Sequence, residues 1–394
     1  MQWPPGETER AIRDTFRAYF STHLEPHVAA MEEGRLLPYP LMRQMHEELG
    51  LDALLAGTRP ERPENASADR SAEWNERVAR FARTTLSVEM ARVSPSFALS
   101  YGASVGLFGA NVARRGTPEQ VQQYALPVLR CERVGAWCLT EPEAGSDALG
   151  GMTTRALWVG DAYRLSGHKT FITNGPFADV FLVYARIQGG PLDGTIQPLI
   201  VERSQDGVST GPPMKKMGMR GSPTGQVFFD DVVVPPDRVL GGGVRQRDHV
   251  KTSLAAERLG LATLSYGIAE RCFEIAVDYA KQRRQFGQPI ANFQMIQHRL
   301  ARMYVALSNA RRFVYADTLG ERLVPESLAD ICAGKLYCAE VGTFVAFEAI
   351  HILGGNGYME EYTVERLARD AKLIELGGGT TEMQILAIAR EILR

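Results

Sequence analysis

Two segments combine residue types that could hold a planar, polyanionic group. The first is Ala136-Trp137-Cys138-Leu139-Thr140-Glu141-Pro142-Glu143-Ala144-Gly145-Ser146-Asp147, a strand-like run that ends in a polar, glycine-bearing loop. Backbone N–H groups and hydroxyls exposed on such a loop suit a flavin edge or a pyrophosphate, although a Gly-Ser-Asp turn taken alone is ordinarily just a turn. The second, Lys169-Thr170-Phe171-Ile172-Thr173-Asn174-Gly175, sets an aromatic ring and a hydroxyl two residues apart, on one face of a strand. Taken alone it reads as half of an amphipathic strand. A carboxylate able to move a proton stands at Glu257 in Ala255-Ala256-Glu257-Arg258-Leu259. By itself it reads as a surface helix residue paired with Arg258 or Lys251.

The chain that must position these groups has 394 residues, with Lys+Arg 44 against Asp+Glu 46. That near balance argues against a nucleic-acid binder, which carries a basic excess. Hydrophobic residues at 45% and charged residues at 23% are those of an ordinary globular enzyme. The five cysteines, Cys131, Cys138, Cys272, Cys332 and Cys338, are odd in number and form no CxxC pair. They read as buried, reduced thiols, and no metal site is expected. No uninterrupted apolar run reaches the ~18 residues of a membrane span. The start, MQWPPGETERAIRDTF, lacks the apolar stretch of a signal peptide, and Glu7, Glu9 and Asp14 oppose a transit peptide. The expected location is cytoplasmic.

Three textures follow one another. Residues 1–131 carry apolar residues at near-helical spacing: Ala11, Phe16, Tyr19, Phe20 and Leu24, then Met42, Met45, Leu49 and Leu51. Residues 57–71 are polar and Pro-bearing and read as a loop. Helical text resumes through Trp74, Val78, Phe81 and Leu86, and Thr117-Pro118-Glu119 looks like a cap followed by Pro at the first helical position. Residues 132–243 hold short β-type runs at Tyr163–Ser166, Val180–Ala185, Gln197–Val201 and Gln226–Phe229. They predict an antiparallel sheet or small barrel rather than βαβ units. Residues 244–394 return to helix over 252–282, from Gln294 to about Leu319, from Pro325 to Leu353, and from Thr380 to the end, which predicts a four-helix bundle. The class is α+β.

The two opening segments are followed, in order, by Lys216-Met217-Gly218-Met219-Arg220-Gly221-Ser222-Pro223-Thr224, Arg283-Arg284-Gln285-Phe286-Gly287, His351-Ile352-Leu353-Gly354-Gly355-Asn356-Gly357-Tyr358 and Arg369-Asp370-Ala371-Lys372. With these motifs the chain resembles the acyl-CoA dehydrogenase family over roughly residues 10–394, densely from 120 onward. The resemblance implies an N-terminal all-α domain (1–131), a middle antiparallel β-barrel (132–243) and a C-terminal four-helix bundle (244–394), with FAD between barrel and bundle. By motif position, Trp137, Leu139, Thr140, Gly145 and Ser146 would line one side of the flavin and its phosphates. Phe171 and Thr173 would back the ring system, Phe171 standing where most relatives have Trp. Arg283, Gln285, Phe286 and Gln294 would reach the FAD of a neighbouring subunit, as would His351, Gly354 and Gly355, with His351 where Gln is usual. Thr380 and Glu382 would contact the near FAD. A homo-oligomer, a tetramer in most of the family, is implied, with an electron-transfer flavoprotein as redox partner.

The family removes two hydrogens from an acyl-CoA thioester. A carboxylate takes the α-proton and the flavin takes the β-hydrogen as hydride. The commonest relatives carry that carboxylate in a Tyr-Glu-Gly-Thr segment. Here the segment reads Leu376-Gly377-Gly378-Gly379-Thr380-Thr381-Glu382, so Gly378 occupies the glutamate position. A minority, including isovaleryl-CoA dehydrogenases, carries the base in a Glu-Arg pair on a bundle helix, and Glu257-Arg258 matches it. Glu257 is therefore the expected catalytic base, with Glu375 and Glu382 as weaker rivals. Ser146, Leu254, Arg258, Gly377 and Gly378 would contact substrate, and the Gly378 N–H would donate to the thioester oxygen. The side-chain-free Gly377-Gly378-Gly379 suggests room for a branched or bulky acyl group. Two departures bear on substrate. Ala255 replaces an Asp that helps bind the pantetheine, which admits a carrier-protein thioester, and Arg59–Asn65 replaces the family's acyl-end loop. A flavin-dependent oxidase or monooxygenase and a structural subunit of a heteromeric dehydrogenase are the other readings.

Overall fold

The computed structural model describes residues 6–51, 70–243, 249–316 and 327–394. Residues 57–69 of the expected loop, including Arg59–Asn65, lie outside the described residues, and Arg70 and Ser71 already belong to a helix.

The N-terminal region is helical, as its periodicity predicts. Helix α1 (Glu7–His23) buries Phe16 and Phe20. Helix α2 (Tyr39–Leu49) buries Met42 and Met45 and stops at Gly50, whose φ of 58° is left-handed. Helix α3 (Arg70–Val93) is followed by Ser94, whose Oγ accepts from Phe97 N at 3.2 Å and caps α4 (Pro95–Tyr101). The helix then widens into a π-helical stretch, Gly102–Gly109, before α5 (Ala110–Arg115). Thr117 forms the expected cap: Gln120 N donates to its Oγ1 at 3.3 Å, and Gln120 Oε1 accepts from Thr117 N at 3.1 Å.

The middle region is a sheet, as expected, but a mixed one where an antiparallel sheet or small barrel was expected. Among the described residues, seven strands form an open, mixed sheet in the order β1-β4-β2-β3-β7-β6, with β5 on β4. They are β1 (Gly135–Cys138), β2 (Arg155–Val159), β3 (Ala162–Thr173), β4 (Val180–Gln188), β5 (Ile196–Glu202), β6 (Val208–Thr210) and β7 (Thr224–Val234). β1 and β2 both run parallel to β4, in register Gly135↔Val180 and Arg155↔Arg186. Strand β4, Val180–Gln188, is apolar without alternation because both its faces are covered. Val180, Leu182 and Tyr184 join the core shared with the N-terminal helices, while Phe181, Val183 and Ala185 join the sheet's own core.

The C-terminal region has five helices where four were expected: α6 (His249–Gln282), α7 (Gln294–Tyr315), α8 (Leu328–Leu353), α9 (Val364–Leu376) and α10 (Thr381–Ile392). Helix α9 is the addition, and it buries Val364, Leu367, Ala368, Ala371 and Ile374. Between α6 and α7 the chain makes a tight hairpin of β8 (Arg284–Gln285) and β9 (Gln288–Pro289). By length and composition α8 is apolar enough to cross a membrane. Here its apolarity fills the bundle: Cys338, Val345 and Ala349 pack with Ile268, Cys272 and Ala276 of α6. All five cysteines are free and buried.

Helix α6 is fixed against α3 by a buried ionic cluster. Arg92 binds Glu89 at 2.9 Å, Glu270 at 2.7 Å and Glu274 at 2.5 Å, and Arg17 of α1 binds Glu89 at 3.0 Å. Gly267 lies where any side-chain carbon would come within 2.7 Å of Val88 O, so the two helices approach closely. This packing sets the axial position of Glu257.

Candidate active site

Where α3, the α4–π–α5 rod, one end of the sheet and α6 meet, they enclose a cavity of about 360 Å³. Leu86, Leu99, Val105, Leu129, Leu261 and Leu264 give it apolar walls, and Trp137, Leu139, Thr140, Phe171 and Thr173 line it from the sheet. Glu257 stands on the α6 wall.

A buried ion pair joins the two sheet segments. Lys169 Nζ donates to Leu139 O and to Glu141 Oε1, both at 2.9 Å. Glu141 also accepts from Thr153 N at 2.7 Å, Thr153 Oγ1 at 2.6 Å and Thr154 N at 3.0 Å. Burial by itself would raise the Glu141 carboxyl. The Lys169 ammonium and the threonine donors outweigh it and hold the group at about 2. Thr170 N donates to Thr140 O at 2.9 Å, so the strand-end loop and β3 advance in step. A register shift between Lys169 and Ile172 then re-aims β3. Phe171 sits there at φ 56°, with 67% of its surface exposed toward the cavity side. A left-handed, exposed phenylalanine is costly unless something packs on it.

The Glu257 carboxylate has no hydrogen bond or ion pair among the described residues, and it is pushed up to about 7. Burial is the main cause. Arg258 and Lys335 pull the other way. Arg258 is not its ion-pair partner: Arg258 Nε donates instead to Gly378 O at 3.3 Å. Lys251 has no described side chain. The Gly377–Gly379 loop lies beside Glu257, with Gly378 at φ 64° and Gly379 at φ 92°. The amide nitrogens of Gly378 and Gly379 meet no acceptor among the described residues. Leu254, one turn before Glu257, is partly buried against the N-terminal core.

The rival carboxylates point elsewhere. Glu375 accepts from Thr343 Oγ1 and Lys372 Nζ, both at 2.5 Å. Glu382 is exposed in the first turn of α10, beside Thr380, whose hydroxyl caps that helix. Other expected FAD residues do not line this cavity. Gly145 and Ser146 are exposed on the loop after β1. Arg283, Gln285, Phe286 and Gln294 are exposed around the β8–β9 hairpin, and His351, Gly354 and Gly355 are exposed at the end of α8. These seven residues lie on the protomer surface, away from the cavity.

Two contributors were not anticipated from the sequence. The π-helical stretch supplies Gly102, Ala103, Val105, Gly106 and Leu107 to the cavity wall, yet its text reads as any small-residue helix. Lys335 was overlooked, although a lysine inside the apolar run Leu328–Leu353 is itself a signal.

The fold and cavity are those of a flavoprotein dehydrogenase built from helical, sheet and helical regions. Family models for the acyl-CoA dehydrogenase N-terminal, middle and C-terminal domains match residues 6–132, 136–232 and 247–393. The chain belongs to the acyl-CoA dehydrogenase family. It is 40% identical over 310 residues to an isovaleryl-CoA dehydrogenase, mitochondrial, of Arabidopsis thaliana, covering 78% of this chain and 75% of that one. The structure of butyryl-CoA dehydrogenase from Megasphaera elsdenii superposes with a TM-score of 0.84 at 29% identity over 100% of both chains. An acyl-CoA dehydrogenase from Bacillus anthracis, solved with FAD, superposes with a TM-score of 0.84 at 30% identity, covering 99% of this chain and 68% of that one. The protein is thus an FAD-dependent oxidoreductase that acts on the CH–CH bond of an acyl-CoA. The exposed Phe171 ring, the Trp137 and Thr140 edge and the unclaimed glycine amides fit that cofactor and substrate.

Proposed function

We propose that this chain dehydrogenates a branched or bulky acyl-CoA to the trans-2-enoyl-CoA, with Glu257 as the base. The observation that carries the reading is the single carboxylate on the cavity wall, Glu257, unpaired among the described residues and held at about 7. A base poised near neutrality accepts a proton at working pH without being permanently protonated. Trp137, Leu139, Thr140, Phe171 and Thr173, which line the cavity, would hold the ring system, and Gly145 and Ser146 on the loop after β1 would hold its phosphates. The free N–H of Gly378 donates to the thioester oxygen, where charge develops as the α-proton leaves. FAD held by these residues would supply the acceptor for the β-hydrogen, and an electron-transfer flavoprotein would be its redox partner. The apolar walls exclude water and pack the acyl chain so that its α-carbon meets Glu257.

The branched preference is supported by the likeness to an isovaleryl-CoA dehydrogenase and by the absence of side chains at Gly377 and Gly378, although Leu261 already packs against Gly378. Arg283, Gln285, Phe286, Gln294, His351, Gly354 and Gly355 belong, on this reading, to the FAD site of a partner subunit in a homotetramer. The test is anaerobic mixing of the yellow protein with butyryl-, isovaleryl-, isobutyryl-, octanoyl-, palmitoyl- and citronellyl-CoA while the flavin band is followed. Fastest bleaching by a branched member is expected. Bleaching by straight chains alone removes the branched assignment, and bleaching by none directs attention to carrier-protein thioesters.

A further inference from the structure

Lys335 is 1% exposed in the N-terminal part of α8, an otherwise largely apolar helix. A buried ammonium costs several kcal/mol unless it is compensated, and Lys335 forms no ion pair within 4 Å among the described residues. Its hydrogen bond goes to a backbone group: Nζ donates to Gly379 O at 2.8 Å. The same loop is held from two other helices. Arg258 Nε of α6 donates to Gly378 O at 3.3 Å, and Gln384 Nε2 of α10 donates to Gly378 O at 3.1 Å and Gly379 O at 2.8 Å. Two consecutive carbonyls are thus engaged by three side chains from three helices. In planar trans peptides the N–H points opposite to the C=O. The grip on the Gly378 and Gly379 carbonyls therefore fixes the following amides as well as the left-handed turn that seats Gly378 against Glu257.

The charged and titratable groups that meet around Lys335 come from each helix packed there. Glu257 and Arg258 belong to α6, Cys332 to α8 itself and Glu375 to α9. From α10 the neighbour is the neutral Gln384. Glu375 is already engaged by Thr343 and Lys372, which leaves Glu257 as the carboxylate with no other partner.

We propose that Lys335 is a positioning residue of the dehydrogenation, holding the glycine loop through the Gly379 carbonyl and setting a positive charge behind Glu257. This rests on Glu257 being the base. The loop grip is geometric, and the charge acts at longer range on the base. The two roles separate by substitution. Lys335→Gln keeps a donor and removes the charge. Lys335→Met removes both.

The test uses FAD-loaded enzyme and follows anaerobic flavin reduction by acyl-CoA across pH. In Lys335→Gln the pH of half-maximal rate should rise by about one unit, because a nearby cation that favours the carboxylate is gone, while KM stays within about threefold. Lys335→Met should show the same shift and an additional loss of about tenfold or more in kcat from the loosened loop. Lys335→Arg should return the half-maximal pH to within a few tenths of a unit of wild type. A folded Lys335→Gln with an unmoved pH profile overturns the proposal even if Lys335→Met does not fold. Failure of the underlying reading shows separately, as undiminished turnover in Glu257→Gln.

Discussion

Gly378 and Glu257 converge on one point in space: a side-chain carbon added to Gly378 would lie 3.7 Å from the Glu257 carboxyl carbon. The glutamate position of the commoner relatives and the helix glutamate of this chain therefore address the same place above the flavin-lining residues. A carboxylate reaching from either the loop or the helix would approach the same point, so on the proposed assignment a loop of three glycines need not leave the site without a base.

Replacement of Glu257 by Gln follows directly. The amide is nearly isosteric, so the cavity keeps its shape and FAD stays bound. The rate of flavin reduction by acyl-CoA should fall by more than about a thousandfold, the worth of a general base and its placement. Stopped-flow absorbance checks this, and a rate within tenfold of wild type would move the base elsewhere.

Restoring a carboxylate at the loop position is harder than the sequence suggests. Gly378 has φ 64°, and its added Cβ would come within 2.6 Å of Leu261 Cδ1. The Glu257→Gln, Gly378→Glu double variant should lose roughly 1–3 kcal/mol of stability through strain and overpacking and recover little activity. Adding Leu261→Ala opens the space and should recover more. Thermal unfolding and single-turnover reduction of the double and triple variants test the order; a double variant as stable as wild type would contradict it.

The sign of the pH dependence is set by Glu257. Its value is raised above the ordinary 4.5 to about 7, mainly by burial. With Glu257 as the proposed base, only its carboxylate form would accept the α-proton, so the rate of reduction should climb as pH rises through about 7 and level above it. A profile already flat by pH 5 would mean that the working base is an ordinary exposed carboxylate.

The legibility of this chain follows the range of the forces involved. The helix over 252–282 is written in local periodicity, and so is the Thr117 cap. Helix α9 was equally periodic at Val364, Leu367, Ala368, Ala371 and Ile374, but it is short and charge-rich, and its Arg369–Lys372 text stood out as a motif rather than as a helix. The segments of β1, β3, β4, β5 and β7 are readable in the sequence; β2, β6 and the strand partners are not. β1 and β2 lie parallel to β4 because tertiary packing brings them there, and no local pattern distinguishes that from an antiparallel meander. Glu257 stands out in the sequence because Gly378 is bare. Lys335 was missed because its role depends on a carbonyl 44 residues away.

The Glu141–Lys169 pair should carry the seam between the two flavin-lining segments. Lys169→Met leaves the Glu141 charge buried without its cation and should cost about 3–5 kcal/mol, with weakened FAD retention as Thr140 and Phe171 lose register. The acid limb of stability follows from the depressed Glu141 value, about 2 against an ordinary 4.5. Its contribution is complete above 4.5 and is lost as pH falls from there toward 2. Urea midpoints of wild type and Glu141→Gln should therefore converge in that window. A gap that stays constant down to pH 2.5 would show that the pair contributes packing alone.

Phe286 gives the last test. It is 92% exposed at φ 50°, at the tip of the β8–β9 hairpin beside Gly287 at φ 80°. A large apolar ring so exposed, on a hairpin held by Arg284 Nη2 donating to Gly287 O at 2.7 Å, is rigidly presented and uncovered within its own protomer. If it packs on a neighbouring subunit and its FAD, Phe286→Asp puts an unpaired charge into that contact. The variant should keep its helical circular dichroism, shift to smaller assemblies by light scattering, and hold FAD at least about tenfold more weakly, as loss of an aromatic anchor does. Because the residue touches nothing in its own cavity, a loss of FAD that accompanies dissociation can come only through the partner. Unchanged mass and unchanged flavin content would remove Phe286 from both roles.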